Sequence, residues 1–276
     1  MSSPAVAPVP ASPSTPPQPG LFIPHGGGPC FFMPDPHGIW TGMAAYLRGL
    51  AASLPARPRA ILIISGHWES RGFAFTGAEQ PPLIFDYYNF PPHTYELSWP
   101  VPGAPWLAAQ AADLLRAAGL PAAVDPARGV DHGVFVPMKV AFPQADIPLV
   151  QMSLDASLDP ALHLRAGAAL APLRAAGVLI IGSGMSFHNL RAYGDPRATE
   201  PSALFDQWLT EAAQAAGPER SARLAGWTQA PFARFCHPRE EHFMPLMVAA
   251  GSSAAPGRQD YGEIVMGGAI SGYRFA

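Results

Sequence analysis

Histidine is the residue type in this chain whose settings suggest chemistry. Five short segments place it beyond an apolar, strand-like run or beside glycine and acidic residues; they contain His25, His67, His132, His188 and the pair His237 and His242. Imidazole binds zinc, iron, copper and nickel, so these segments predict a metal centre without identifying the metal.

Three of these histidines share one kind of setting. His25, His67 and His188 each follow an apolar run and a turn of small residues, and the runs before the last two read Ile-Leu-Ile-Ile and Val-Leu-Ile-Ile. Continuous runs of this kind are typical of buried parallel strands, whose carboxyl ends form the ligand crevice of open α/β sheets. We therefore expect all three side chains to point into one crevice and to bind a metal.

A further ligand is expected from the segment that contains His237 and His242. Residues five apart do not share a helix face, and Pro238 indicates that a helix begins after it. We predict that His242 is the ligand because it opens an apolar helical run. Glu241 is the alternative, and it would complete a facial triad of two histidines and one carboxylate.

His132 lies between Asp131 and Gly133. A neighbouring carboxylate can orient an imidazole and raise its pKa, which suits a general acid or base. The alternative is an Asp-His-Gly turn without chemistry, and the residues alone do not decide between the two.

The elements that must position these side chains alternate between helix and strand. This order predicts a single α/β domain with a central, mostly parallel or mixed sheet flanked by helices, and with the metal site at the carboxyl ends of the strands. The predicted strands span residues 21–24, 60–64, 147–152, 178–181 and 263–273, and the predicted helices span residues 43–54, 107–118, 162–176, 203–216 and 241–250.

A long segment, residues 81–105, is rich in proline and aromatic residues and has no regular period. Long irregular loops in compact domains commonly form the walls or lids of functional sites. We expect Phe85, Tyr87 and Tyr95 of this loop, together with Trp68 beside His67, to contact a planar substrate.

Composition limits the possible partners and location. The chain has 276 residues, 49% of them hydrophobic, and its net charge of -3 with scattered cationic residues gives no basic field for nucleic acid. Residues 1–19 are rich in proline, alanine and serine and are predicted to be a disordered tail rather than a signal peptide, which leaves 20–276 as the catalytic domain. No apolar window is long enough for a membrane helix, so we expect a soluble, cytoplasmic protein that acts on a small molecule.

The ordered set of motifs resembles the class III, LigB-type extradiol ring-cleaving dioxygenases, and most closely their DOPA 4,5-dioxygenase branch. The resemblance runs from about Leu21 to the C-terminus and includes the proline-bounded aromatic loop at 82–91. The matching motifs are His-Gly-Gly-Gly-Pro at 25–29, Ser-Gly-His-Trp at 65–68, Asp-His-Gly at 131–133, His-Asn-Leu at 188–190 and Glu-His-Phe-Met-Pro-Leu at 241–246.

The resemblance implies a non-haem Fe(II) that binds both oxygens of a catechol and also O2, so only three of six positions remain for protein ligands. We assign His25, His67 and His242 to iron, and His132 and His188 to proton transfer. With zinc bound, or without substrate, His188 becomes a candidate fourth ligand. The implied reaction opens the ring of a DOPA-like or carboxylated catechol and gives a muconic-semialdehyde-type product.

Two other functions are compatible with the residues. A zinc-dependent hydrolase also uses histidine and carboxylate ligands around one open position. A non-catalytic metal-binding scaffold of the same fold is the second alternative, although it would not require both His132 and His188. A homo-oligomer is compatible with the sequence under each of these functions.

Overall fold

The computed structural model describes residues 16–276. Most of the predicted tail therefore lies outside the described residues, and its disorder stays a prediction. The last part of that segment is packed, which differs from the prediction. Gln18 is buried, its backbone N–H donates to the carbonyl of Arg174 at 3.1 Å, and the Arg174 guanidinium donates back to its carbonyl at 2.6 Å.

Within these residues, strands and helices alternate as predicted. The strands are β1 (Gly20–Pro24), β2 (Ala60–Ser70), β3 (Phe73–Thr76), β4 (Leu83–Ile84), β5 (Ala122–Asp125), β6 (Val130–Asp131), β7 (Leu149–Asp155), β8 (Val178–Gly184), β9 (Gly257–Val265) and β10 (Gly268–Phe275). The α-helices are α1 (Thr41–Gly49), α2 (Pro105–Ala117), α3 (His132–Ala141), α4 (Pro160–Leu170), α5 (Pro172–Ala175), α6 (Thr199–Gln214), α7 (Gly217–Ala225), α8 (Ala233–Cys236) and α9 (Met244–Gly251). None of these helices is both long and apolar enough to cross a membrane.

The main sheet is mixed and has the order β5-β3-β7-β2-β8-β1-β10-β9. At its centre β2, β8 and β1 run parallel to one another, and β10 pairs antiparallel with β1. The apolar runs of β2 and β8 are buried, while α3 packs against β2 and α9 packs against β8 and β1. The α/β class and the central mixed sheet are thus confirmed.

Several boundaries differ from the sequence-based expectation, each for a local physical reason. The predicted strand at 263–273 is a hairpin of β9 and β10, because Met266 and Gly267 adopt positive φ angles of 49° and 84° and reverse the chain. The predicted helix at 162–176 is interrupted where Pro172 removes a backbone donor. Strand β2 continues to Ser70, and its register with β7 shifts between Ile64 and Glu69, so His67 lies within an irregular part of the strand rather than beyond it.

A second, two-stranded sheet joins the aromatic loop to the segment that carries His132. Strands β4 and β6 are parallel, with Ile84 opposite Asp131. The chain beyond β4 and the chain beyond β6 therefore leave this small sheet at the same edge. His132 is the first residue of α3, so the Asp-His-Gly segment is a strand-to-helix junction rather than an isolated turn.

Candidate metal centre

Five histidine side chains meet at the carboxyl edge of the central strands. The ring of His25 lies 5.1 Å, centre to centre, from the rings of both His67 and His242. The rings of His67 and His132 are 4.0 Å apart, and the ring of His188 stacks on that of His242 at 3.5 Å. The convergence expected for His25, His67 and His188 is therefore present.

The parallel centre of the sheet explains how three distant segments arrive together. His25 directly follows β1, and its backbone N–H donates to the carbonyl of Gly184 at the end of β8 at 3.3 Å. His188 follows β8 after a three-residue connection, and His67 is near the end of β2. Because the three strands run in the same direction, their carboxyl ends share one edge.

His242 is brought to this edge by contacts between its segment and the connection after β8. The N–H of Met185 donates to the carbonyl of His242, and the N–H of His188 donates to the carbonyl of Cys236, both at 3.0 Å. The approach is so close that a Cβ atom at Gly184 would overlap the carbonyl oxygen of His242. Glycine at this position is therefore required by the site.

His237, the other histidine of this segment, does not reach the cluster. It is fully buried, and its Nε2 donates to the carbonyl of Ser186 at 2.8 Å. Burial lowers the pKa of His237 to about 3. It acts as a neutral hydrogen-bonding group that fixes the segment, while His242 projects into the cavity.

Hydrogen bonds to Nδ1 determine which nitrogen three of the rings present to the centre. The Nδ1 atoms of His25, His132 and His242 lie 2.9, 2.8 and 2.9 Å from Gly26 O, Asp86 Oδ1 and Glu241 Oε1. These oxygens accept hydrogen bonds, so each Nδ1 carries the proton and each Nε2 keeps a free lone pair. Such partners on the far ring nitrogen are typical of metal-binding histidines.

Two groups of side chains could hold a metal ion: His25 with His67 and His132, and His188 with Glu241 and His242. The Nε2 of His25 is buried without a hydrogen-bond partner, and the Nε2 atoms of His67 and His242 are 3.1 Å apart. Two nitrogens bound at right angles to one ion, at about 2.1 Å each, are separated by roughly 3.0 Å. A shared metal ion would explain the close approach of the His67 and His242 nitrogens, which join the two groups.

The charge states of these rings also suit a metal. Burial, followed by the proximity of the other histidines, holds the pKa values of His25 and His67 well below their ordinary range. Burial and the nearby His188 lower the pKa of His242 to about 4. All three rings are therefore neutral at neutral pH, which is the form that binds metals.

Asp86, and not the neighbouring Asp131, is the carboxylate that orients His132. Asp86 Oδ1 accepts hydrogen bonds from both the backbone N–H and the Nδ1–H of His132, at 2.9 and 2.8 Å. Burial raises the pKa of Asp86, but its bonds to His132 outweigh that effect and leave the pKa below its usual value. Asp131 is fully buried and instead accepts hydrogen bonds from Ser65 and Gln151.

Glu241 lies beside two of the rings and can orient both. Its Oε1 lies 3.2 Å from His188 Nδ1 and 2.9 Å from His242 Nδ1, on the side of His242 opposite the nitrogen that faces His67. Arg239 lies 3.6 Å from Oε2 and is itself paired with Glu69 at 2.6 and 2.7 Å. Glu241, His188 and His242 also form a group that could hold a metal ion, so the facial triad with Glu241 stays an alternative.

The histidines line a cavity of about 350 Å³ with aromatic and aliphatic walls. Of the four aromatic residues expected to contact substrate, Tyr87 lines it. Phe85 and Tyr95 pack behind Tyr87, with ring centres 6.0 and 5.2 Å from its ring, and Trp68 packs against the guanidinium of Arg128 at 4.5 Å. These three therefore support the wall instead of forming it.

Sequence reasoning did not single out several residues that line the cavity. Asp86 and Tyr88 belong to the aromatic loop, and Leu190 follows the His188 motif, so their positions offered a signal. The others came from elements whose ends or turns were not predicted; they are Trp40, Met185, Tyr193 and Met266.

Comparison with known proteins agrees with this site. The family model described as "Catalytic LigB subunit of aromatic ring-opening dioxygenase" matches residues 21–265. The chain is 42% identical over 257 residues to dioxygenase tasH of Hapsidospora irregularis, which covers 85% of this chain and 78% of that relative. It is 34% identical over 238 residues to the 4,5-DOPA dioxygenase extradiol of Escherichia coli K12, covering 85% and 84% of the two chains.

A plant relative and a solved structure extend the comparison. The 4,5-DOPA dioxygenase extradiol of Beta vulgaris is 39% identical over 202 residues, covering 71% of this chain and 74% of that protein. The crystal structure of the uncharacterized protein JW3007 from Escherichia coli K12 superimposes with a TM-score of 0.74 at 28% identity, covering 94% of this chain and 100% of that one.

Proposed function

The chain belongs to the LigB family of aromatic ring-opening dioxygenases, and from this premise we propose that it opens a substituted catechol with O2 at a non-haem Fe(II) centre. The enzyme is an extradiol ring-cleavage dioxygenase, and the proposed product is of the muconic-semialdehyde type. DOPA, named in several relatives, and carboxylated catechols are the first substrates to test.

The observation that carries the iron proposal is the set of three Nε2 atoms of His25, His67 and His242. Three neutral imidazoles would hold the ion and would leave it able to bind a catechol and O2. In this proposal Fe(II), when bound, would supply Lewis acidity and would relay electrons to O2 from the catechol, which is the group that is oxidised. His25, His67 and His242 would hold it, and Gly26 O and Glu241 would orient two of these rings through Nδ1.

We assign proton transfer to the two histidines outside this set. The ring of His132 contacts the rings of His25 and His67, whereas the ring of His188 contacts that of His242, so the two proton carriers border different parts of the site. Each has its Nδ1 beside a carboxylate, Asp86 for His132 and Glu241 for His188. Each Nε2 is therefore available to take a proton from a catechol hydroxyl or to return one to the opening ring.

The other candidate functions lose their support with the family assignment. A zinc hydrolase belongs to a different enzyme class. A non-catalytic scaffold does not require two histidines that carboxylates orient beside the metal ligands. Zinc remains an expected occupant of the same nitrogens in protein purified without iron, with His188 as the candidate fourth ligand.

The test combines metal content with turnover. The protein is reconstituted anaerobically with Fe(II), and oxygen uptake and absorbance are measured with DOPA, protocatechuate, 4-methylcatechol and 4-butylcatechol. We expect one O2 consumed per catechol and a yellow ring-opened product for at least one substrate. Stoichiometric iron without oxygen uptake for any catechol would contradict the proposal.

Variants separate the two histidine roles. We expect His132→Ala and His188→Ala to retain iron while turnover falls by roughly 10²- to 10⁴-fold, which is the usual contribution of a general acid or base. His25→Ala and His67→Ala should lose the iron, measured by elemental analysis. If His188→Ala were the metal-free variant, its assignment to proton transfer would be wrong.

A further inference from the structure

Within residues 16–276, the outer part of the active-site cavity lacks the cationic side chains that would bind a carboxylated substrate. Among the described residues that line it, none is a lysine or arginine, and the only carboxylate is Asp86. Its inner end is formed by the histidines, whereas its outer walls are formed by aromatic and aliphatic side chains.

Three of those outer side chains are exposed to solvent around the mouth. Tyr88, Leu190 and Met266 are 79%, 72% and 41% exposed. They are three of the eight large apolar side chains that are exposed in the described part of the chain, and they come from three different segments. Exposed apolar side chains gathered around one opening mark a ligand-binding surface more often than scattered single ones do.

A backbone hydrogen bond joins the segment that carries Leu190 to the turn that carries Met266. Leu190 belongs to the segment after His188, and Met266 is in the turn between β9 and β10. The N–H of Gly194 donates to the carbonyl of Met266 at 2.8 Å, and the hydroxyl of Tyr193 donates to the carbonyl of Phe187 at 2.9 Å. Tyr88 faces the cavity from the aromatic loop. The apolar mouth is thus built from segments that the fold fixes against each other.

From these observations we propose, on the basis of the function proposed above, that the physiological substrate is a catechol with an uncharged, apolar ring substituent that leaves the cavity between Tyr88, Leu190 and Met266. A carboxylate at that place would lie among apolar side chains and gain no cationic partner from the described cavity lining. An alkyl group would instead bury apolar area against Leu190 and Met266. This substrate class differs from the DOPA-like or carboxylated catechol that the motif resemblance suggested.

The arginines that lie near the histidine motifs in the sequence are engaged elsewhere or exposed. Arg239 is paired with Glu69, and Arg234 with Glu240 at 2.5 Å. Arg71 is an exposed residue outside the cavity lining. Arg191, the cationic neighbour of Leu190 in the chain, is exposed and also does not line the cavity.

The first experiment compares substrates of matched size. Oxygen uptake gives kcat/KM for 4-methylcatechol, 4-butylcatechol and 3-(3,4-dihydroxyphenyl)propanoate, and anaerobic calorimetry gives the dissociation constants without turnover. We expect kcat/KM to rise about two- to fourfold per added methylene. We also expect it to be at least about tenfold higher for 4-butylcatechol than for the propanoate. A propanoate that equals or exceeds 4-butylcatechol in both measurements would overturn the proposal.

Three variants test which residues cause the preference for an uncharged substituent. Leu190→Arg places a cation at the mouth and should lower the butyl-to-propanoate ratio of kcat/KM about fivefold or more. Leu204→Arg is the matched control, because Leu204 is 40% exposed on α6 and does not line the cavity; its ratio should stay within twofold of the parent. Arg191→Gln should likewise leave the ratio unchanged.

The outcomes distinguish this inference from the proposed function. A selective loss of propanoate turnover in Arg191→Gln would show that Arg191 recognises a carboxylate, and equal effects of Leu190→Arg and Leu204→Arg would exclude Leu190 from the substituent site. Either result overturns the inference while catechol cleavage stands. Absence of turnover with 4-methylcatechol and every other catechol would instead contradict the proposed function itself.

Discussion

At the scale of single residues, the site depends on carboxylates that orient histidines. Asp86 accepts two hydrogen bonds from His132, one from its backbone and one from its ring, and so fixes both the start of α3 and the tautomer of the ring. A carboxylate that accepts the Nδ1–H hydrogen bond leaves the Nε2 of His132 as the nitrogen that can exchange a proton with substrate.

We therefore predict that Asp86→Asn lowers kcat about 10- to 100-fold. The amide preserves the shape of the side chain but removes the charge that stabilises a protonated His132. Iron content should match that of the parent, because Asp86 does not belong to the ligand set, and KM should change less than about threefold. Steady-state oxygen uptake and elemental analysis check both statements.

The matched control for this variant is Asp113→Asn, which removes a carboxylate that is 75% exposed and pairs with Arg116. Its kcat should equal that of the parent. Equal losses in the two variants, or loss of iron in Asp86→Asn, would contradict the role assigned to Asp86.

The residue types of the site could be predicted from the sequence, but the partner of His132 could not. Asp131 is its neighbour in the chain, yet consecutive side chains of an extended segment point to opposite sides, so Asp131 faces Ser65 and Gln151. Asp86 is 46 residues away, and only the pairing of β4 with β6 brings it to His132.

At the scale of elements, the close approach of β8 to the segment that carries His242 determines the geometry of the metal set. Gly182 and Gly184 leave room for the carbonyl oxygens of Pro245 and His242, which a Cβ atom at either position would overlap. Because these neighbours are backbone atoms, they cannot move aside as a flexible side chain would.

We predict that Gly184→Ala destabilises the protein by about 1–3 kcal/mol, the usual cost of overpacking a core, and also weakens metal binding by displacing His242. Gly49→Ala, at the end of α1, is the control, since nothing lies within 4 Å of the added Cβ. Its free energy of unfolding should be unchanged or slightly higher. Urea denaturation and metal titration measure the two effects, and a fully stable Gly184→Ala with normal iron affinity would refute the prediction.

Elements with long apolar runs could be predicted, whereas short or reversed ones could not. The uninterrupted apolar residues of β2 and β8 predict buried strands by their composition alone. The two-residue strands β4 and β6 have no such signal, and the hairpin of β9 and β10 was missed because its turn contains Met266, a residue that rarely adopts positive φ.

At the scale of the whole molecule, the metal set joins distant parts of the chain. His25 follows the first strand, His67 belongs to the second, and His242 precedes the last helix. An ion that binds these three residues in the folded chain, and not in the unfolded one, must stabilise the entire domain.

We predict that a metal concentration of about 100 times its dissociation constant adds roughly 2.7 kcal/mol to the free energy of unfolding. This corresponds to an increase in Tm of about 5–10 °C for a domain of this size. Anaerobic thermal scans with Fe(II), and scans with Zn(II), provide the measurement. His25→Ala should show no such increase, and an equal increase in that variant would place the stabilising ion elsewhere.

The class of fold could be predicted from the alternation of elements, but the strand order could not. The residues of β1 do not predict its position between β8 and β10. Buried apolar strands have similar compositions, and their order depends on the packing of the whole chain.

That position of β1 has a consequence for biosynthesis. Both neighbours of β1 come from the second half of the chain, so a ribosome must add about 160 residues after β1 before β8 can pair with it. At ordinary elongation rates this takes roughly 8–30 s. During that time the nascent chain carries an unpaired apolar strand and lacks His242, so iron can be bound by the full ligand set only near the end of synthesis or after release.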